Sequence, residues 1–193
     1  MVDERMDLEL LAYVADARPD WTLCIVGPVV KIDPADLPRR GNIRYLGGKS
    51  YAELPAYLAG WDVALMPFAI NEHTRFISPT KTPEYLAGGR PVVSTPITDV
   101  IRHYGDLEGV KTAATPEAFV RACDEALALA ADPQGPWMEA VDKALCELSW
   151  SQTFARMSAP DRPGGAEAPG RGRGPHLDRR RPHRAARQPQ EAV

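Results

Sequence analysis

Lys81 and Glu84 stand three residues apart in the stretch Ser78-Pro79-Thr80-Lys81-Thr82-Pro83-Glu84-Tyr85-Leu86-Ala87-Gly88-Gly89, just before the apolar run Pro91-Val92-Val93-Ser94-Thr95. The pattern predicts a short helix followed by a buried strand. Ser78 or Thr80 can cap that helix, Pro79 or Pro83 fits its first turn, and Gly88 and Gly89 end it. Unbonded amides at the helix start, joined by the Lys81 ammonium, form an anion site in which each charge-assisted hydrogen bond contributes roughly 1.5–3 kcal/mol. An ionised Glu84 only accepts hydrogen bonds, so it suits two neighbouring hydroxyls of a ribose. Diphosphate plus ribose describes a nucleotide. A glutamate in a first helical turn is also favoured by the helix dipole alone, so scaffolding remains the competing explanation.

Such a pair acts only if the surrounding elements place it at a sheet edge. Apolar residues from Met6 to Ala15 predict a helix over Glu4 to Ala17, stopped by Pro19. Short apolar runs predict strands over Trp21–Pro28, Asn42–Gly48, Asp62–Met66, Pro91–Thr95 and, more weakly, Gly109–Ala113. Between them, Ser50 and Glu53 have capping-box spacing, with Pro55 expected to disturb the turns that follow. Thr98 to Tyr104 predicts a short helix that His103 and Gly105 close. Thr115-Pro116 opens a longer one, and a last helix runs from Trp137 to about Leu148, or on to Met157. Strands that are apolar throughout and alternate with helices define an α/β fold with a doubly wound parallel sheet. In such sheets ligands sit at the carboxyl ends of strands, next to helix N-termini, which is where the loop after Met66 and the Ser78 stretch fall.

The 193-residue chain has 44% hydrophobic residues, enough for one domain of ordinary size. Its net charge of −3 conceals an asymmetry. Residues 158–193 carry eight arginines against four acids, so the remainder is strongly acidic. That Arg/Pro/Gly-rich tail holds almost no aliphatic side chain and is expected to be disordered, leaving residues 1–157 as the folded part. No aromatic interleaves its arginines, so specific nucleic-acid binding is not expected, and membrane contact is peripheral at most. Cys24, Cys123 and Cys146 lack metal-ligand spacing and are expected to be free, buried thiols of a cytoplasmic protein. No metal cluster is visible, and the N-terminus lacks the apolar core of a signal peptide. His73, Asn71 and Thr74, in the loop facing the expected site, are secondary candidates for a ligand contact. Trp61 suits a core better than a sugar platform.

The Ser78–Val93 stretch resembles the donor-site segment of retaining GT-B glycosyltransferases of the family 4 type. Those enzymes carry Ser-Pro-x-Lys, then Glu-Tyr/Ala-x-Ala-x-Gly, then a basic residue and Pro-Val-Val. The matching positions are Ser78, Pro79, Lys81, Glu84, Tyr85, Ala87, Gly89, Arg90, Pro91, Val92 and Val93. Leu23 to Gly27, Ile43 to Gly47 with Tyr51 to Leu58, Asp62 to Phe68, and Ser149-Trp150 resemble further segments of the same family. The resemblance covers about Asp3 to Met157. It implies the donor-binding, Rossmann-like half of a two-domain enzyme, without its first strand and without the N-terminal acceptor domain. It implies a UDP- or GDP-type sugar as donor, a carbohydrate or lipid-linked acceptor, a role in cell-surface polysaccharide synthesis, and no further cofactor or metal. By the same resemblance, Glu84 binds the ribose and Ser78, Pro79, Thr80, Lys81 and Thr82 hold the diphosphate. Lys81 neutralises the leaving group, and Leu46 and Gly47 line the base. Lys81 and Glu84 are therefore the expected catalytic residues. The sequence departs from the pattern at Phe76, where many members carry a second glutamate. It also departs near Arg5, the one basic residue near the family's usual phosphate-binding pair. A chain of this extent is expected to be a weak catalyst or none alone, and a non-catalytic nucleotide- or partner-binding fragment is the alternative.

Overall fold

The computed structural model describes residues 1–72, 74 and 76–147. The chain opens with an irregular strap over residues 1–7. Helix α1 (Leu8–Ala17), strand β1 (Leu23–Val26), a 3-10 turn (Pro34–Asp36), β2 (Ile43–Gly47), α2 (Leu54–Ala59) and β3 (Ala64–Met66) follow. Then come α3 (Lys81–Ala87), β4 (Val92–Ser94), α4 (Thr98–Tyr104), β5 (Val110–Thr112), α5 (Pro116–Ala130) and α6 (Pro136–Glu147). The α/β class and its parallel strands are as the sequence predicts. The expected boundary near residue 157, the character of 158–193 and the Ser149-Trp150 helix start lie outside the described residues.

Helix starts follow side-chain chemistry closely. Asp7 accepts from the Leu10 amide at 2.8 Å and so begins α1, four residues later than the apolar periodicity predicts. Thr115 accepts from Ala118 and begins α5, with Pro116 in the first turn. At α2 the expected capping box is only half made. Glu53 reaches back to the Ser50 amide and hydroxyl at 2.9 and 2.6 Å, but the helix begins after Glu53, not after Ser50. Pro55 therefore sits in the first turn, where its missing N–H costs nothing. The α4 cap position falls on Ile97 instead of Thr98, with no side-chain cap bond.

The strands form two parallel ladders instead of one continuous sheet, β1-β2 and β3-β4-β5. Leu23 pairs with Ile43 in the first, with a register shift between Ile25 and Val26. Ala64, Val92 and Val110 are in line across the second. One helical layer spans both ladders: Leu10, Leu11 and Val14 of α1 and Phe119, Cys123 and Ala126 of α5 share a cluster with Leu23, Ile43 and Val93. The opposite face of β3 and β4 packs Ala64, Met66 and Val92 against Leu86 of α3, Val100 of α4 and Trp137 and Val141 of α6. Arg18, which caps the end of α1, pairs with Asp124 of α5 and ties the first layer together.

The strap joins the ladders at their carboxyl ends. Val2 donates to Pro28 and accepts from Val30, both at 2.9 Å, just past β1. Five residues on, Asp7 donates to Pro67 at 2.9 Å and Arg5 accepts from Ala69 at 2.8 Å, just past β3. The ends of β1 and β3 therefore lie on one edge, and the two ladders run the same way.

Candidate functional site

The carboxyl edge gathers most of the residues singled out in the sequence. Met66 ends β3 with Pro67 and Phe68 beyond it, and Gly47 ends β2. α3 begins at Lys81, so Lys81 is the first helical residue, not a loop residue. Thr80 holds the cap position without a side-chain cap bond, and Ser78 and Thr80 are exposed. Pro83 falls within the first turn, among the four amides that have no helical partner, so it removes no bond. Gly88 caps the end of α3 and Gly89 follows at φ +70°, the left-handed conformation in which glycine carries no Cβ penalty.

Lys81 Nζ and Glu84 Oε2 lie 2.6 Å apart, each side chain about half exposed. One helical turn thus places a cation and a carboxylate side by side, in reach of solvent and of each other. Thr82 is different: it is fully buried, and its hydroxyl sits 3.5 Å from the Met66 sulfur, locking α3 onto β3. Its side chain serves packing, so only its backbone remains available to a ligand. Burial, with the neighbouring Glu84 charge adding to it, pushes the Tyr85 phenol up. Tyr85 stacks edge-on with Trp61 at 6.2 Å.

At the end of the first ladder, Leu46 is half-buried and Gly47 is exposed. Gly47 adopts φ +68° with nothing within 4 Å of a notional Cβ, and its carbonyl accepts from Gly27 at 2.9 Å. The glycine is needed for backbone conformation, and it leaves open space over the strand end. Gly27, at φ +138°, lies where a side chain would meet the Met1 nitrogen at 2.9 Å, so the strap can cross only over a glycine.

Arg5 reaches the same edge, held by Asp3 through bonds of 3.0 Å to Oδ1 and 2.5 Å to Oδ2. That arginine, through its hydrogen bond, holds the buried Asp3 carboxyl below the usual range, against the opposing effect of burial. Arg90, in contrast, precedes β4 at the amino edge and donates to the Ala59 carbonyl at 2.9 Å, so it belongs to the scaffold. Asn71 and Thr74 bond each other across a turn, at 3.1 Å in both directions, and Thr74 is buried; this is a loop lock, not a ligand contact. His73 lies outside the described residues. Phe76 is exposed. Cys123 is buried as expected, whereas Cys24 and Cys146 are exposed.

Sequence reasoning did not anticipate the Lys81–Glu84 pair or the Asp3 grip on Arg5. The first was available from the opposite charges at i and i+3 of a helix. The second depends on the strap geometry, which no periodicity encodes. Among the described residues no cluster of histidine, cysteine and carboxylate could hold a metal ion, and no helix is long and apolar enough to cross a membrane.

Parallel strands flanked by helices, with charged and glycine residues gathered at the carboxyl edge, make this a Rossmann-like half of a GT-B fold. Residues 6–128 match the family described as Glycosyl transferases group 1, and the chain belongs to that family. It is 29% identical over 134 residues to the Bacillus subtilis (strain 168) protein named "Putative teichuronic acid biosynthesis glycosyltransferase TuaH". The match takes in 65% of this chain and 33% of that protein, so the chain spans about a third of the length of the curated relative it matches here.

Proposed function

We propose that this chain is the donor-binding half of a glycosyltransferase that takes a nucleotide-diphosphate sugar of UDP or GDP type. The observation that carries the reading is the Lys81–Glu84 pair at the start of α3, on the carboxyl edge of parallel strands. Glu84 binds the ribose hydroxyls. Lys81, with the free amides of Thr80, Lys81 and Thr82, meets the diphosphate, and Arg5 adds a second cation from the strap. Leu46 and the open space above Gly47 receive the base. As the bond from sugar to phosphate breaks, negative charge grows on the diphosphate, and preorganised amides and ammonium lower that barrier. The acceptor, a carbohydrate or lipid-linked one, must be held in register by a further, N-terminal domain. This chain alone therefore binds donor and turns over poorly. The relative's printed role in teichuronic acid biosynthesis supports a cell-surface polysaccharide as product, made in the cytoplasm.

Calorimetric titration of UDP, GDP and their sugars tests the reading. We expect Glu84→Ala to lose at least about tenfold in donor affinity, the loss of roughly one good hydrogen bond to a charged group, with no change in thermal midpoint. Wild-type affinity in that variant would remove Glu84 from the site. Absence of any nucleotide binding, even in a polypeptide that includes the acceptor domain, would overturn the donor reading itself.

A further inference from the structure

Among the described residues, Asp3 is the one charged side chain that is buried. A carboxylate taken out of water needs partners, and this one takes its hydrogen bonds from a single residue. Arg5 donates its backbone amide at 3.1 Å, Nε at 3.0 and 3.2 Å, and Nη2 at 2.5 Å. Glu4, between them in sequence, pairs instead with Lys31 at 3.2 Å.

Turn formation accounts for only part of this. Met6 donates to the Asp3 carbonyl at 3.0 Å and closes a four-residue turn. An aspartate in first place, bonding the amide two residues on, is ordinary turn chemistry. Asparagine would serve that purpose with Oδ1 alone. A turn requires neither a charge nor a grip on the guanidinium by both oxygens. The backbone around the turn is already fixed: Val2 is bonded twice just past β1, and Met6 bridges Phe68 just past β3. The root of the Arg5 side chain is therefore held by the strap, and its tip by Asp3.

A guanidinium carries its N–H groups in a rigid plane. Asp3 occupies the edge formed by Nε and Nη2, which leaves the edge formed by Nη1 and Nη2. That second edge is the fork that meets two oxygens of a phosphate. The Arg5 side chain is 40% exposed and that of Asp3 only 5%, so solvent reaches the edge that Asp3 leaves free. Arg5 and Lys81 line one cavity at the carboxyl edge, together with Pro67 and Phe68 from beyond β3. We propose that Asp3 is a positioning residue for donor binding, whose carboxylate fixes the Arg5 guanidinium so that its Nη1–Nη2 edge is presented to the diphosphate. The assignment rests on the donor reading of the same site. Asp3 also offsets the Arg5 charge, so the gain lies in direction and not in net charge, which sets the sign of the test.

The test uses the full 193-residue chain as wild type, Asp3→Asn, Asp3→Ser, Arg5→Ala and the Asp3→Asn/Arg5→Ala double variant. Each is titrated calorimetrically with UDP and GDP, and with uridine and guanosine, which lack the diphosphate. If the chain alone binds neither nucleotide, the same forms are compared in the polypeptide that includes the acceptor domain. Asparagine and serine both keep an oxygen that can close the turn, and both remove the charge; the second covers a failure of the first to fold. We expect either Asp3 variant to weaken UDP or GDP by about tenfold, as loss of a preset geometry does. Nucleoside affinity should stay unchanged, and Asp3→Asn should add nothing once Arg5 is alanine. Unchanged or tighter nucleotide binding in the Asp3 variants would overturn the assignment and leave the donor reading standing. So would wild-type affinity in Arg5→Ala, an equal loss with the nucleosides, or the same loss in the Arg5→Ala background, since Asp3 would then be a turn former alone. Binding of neither nucleotide in any form would remove the donor reading, and this assignment with it.

Discussion

The two ladders are built from the same kind of apolar run, yet they are not equally buried. In β4 every residue is buried, and β3 is buried at both ends. In β1 and β2 only Leu23 and Ile43 are buried, and the remaining residues are half-buried or exposed. The cause is cladding. β3 to β5 lie between α5 on one face and α3, α4 and α6 on the other, whereas β1 and β2 have α1 and α5 on one face. α2, on the far side in sequence, buries none of its residues. Stability should therefore be concentrated in the three-stranded ladder and be lower in the two-stranded one.

Truncating one leucine on each side sharpens this contrast most strongly. Leu86→Ala, in the fully buried core over β3 and β4, is expected to cost about 2–5 kcal/mol. Leu46→Ala, on half-buried β2, is expected to cost below about 1 kcal/mol. Urea unfolding of both variants checks it, and equal losses would break the comparison. Cysteine chemistry gives the next contrast. Burial pushes the Cys123 thiol up to about 12, while Cys24 of β1 is exposed. At pH 8 the folded chain should label at Cys24 about a hundredfold or more faster than at Cys123, read by mass spectrometry of the digested protein. The smallest effect concerns the strap that ties the ladders. Asp3 has a folded pKa lowered by Arg5, so its contribution is present above the ordinary aspartate range and disappears as pH falls through the folded value. The Arg5 Nε–H resonance should hold its position from pH 7 to 5 and move only below about pH 4. Movement near neutrality would mean that the strap is held by something other than this carboxylate.

Much of this was legible in the sequence because it is local. Strand runs, the Thr115-Pro116 start of α5 and the Gly88-Gly89 end of α3 rest on propensity and capping, which a few neighbouring residues decide. The start of α1 was misread because apolar spacing continues into the strap, and only the Asp7 cap separates the two. The division into two ladders was not legible, since it depends on which edges meet across the fold. Burial of Cys24 failed for the same reason: an apolar neighbourhood in sequence does not guarantee a covering layer in space. Within the site, residue types were legible but their mutual engagement was not. Thr82 counted as a polar candidate until its hydroxyl was found inside the core.

The 2.6 Å contact between Lys81 and Glu84 has a further meaning on the donor reading. Exposed pairs of this kind contribute only about 0–1 kcal/mol, so a ligand separates them cheaply, but it must then serve both partners. A bare phosphate satisfies the ammonium and strands the carboxylate beside new negative charge. A nucleoside diphosphate supplies an anion to one and hydroxyls to the other. On that reading the pair is a two-key lock, in which the charge proposed to grip the phosphate is released only to a molecule that also carries the ribose.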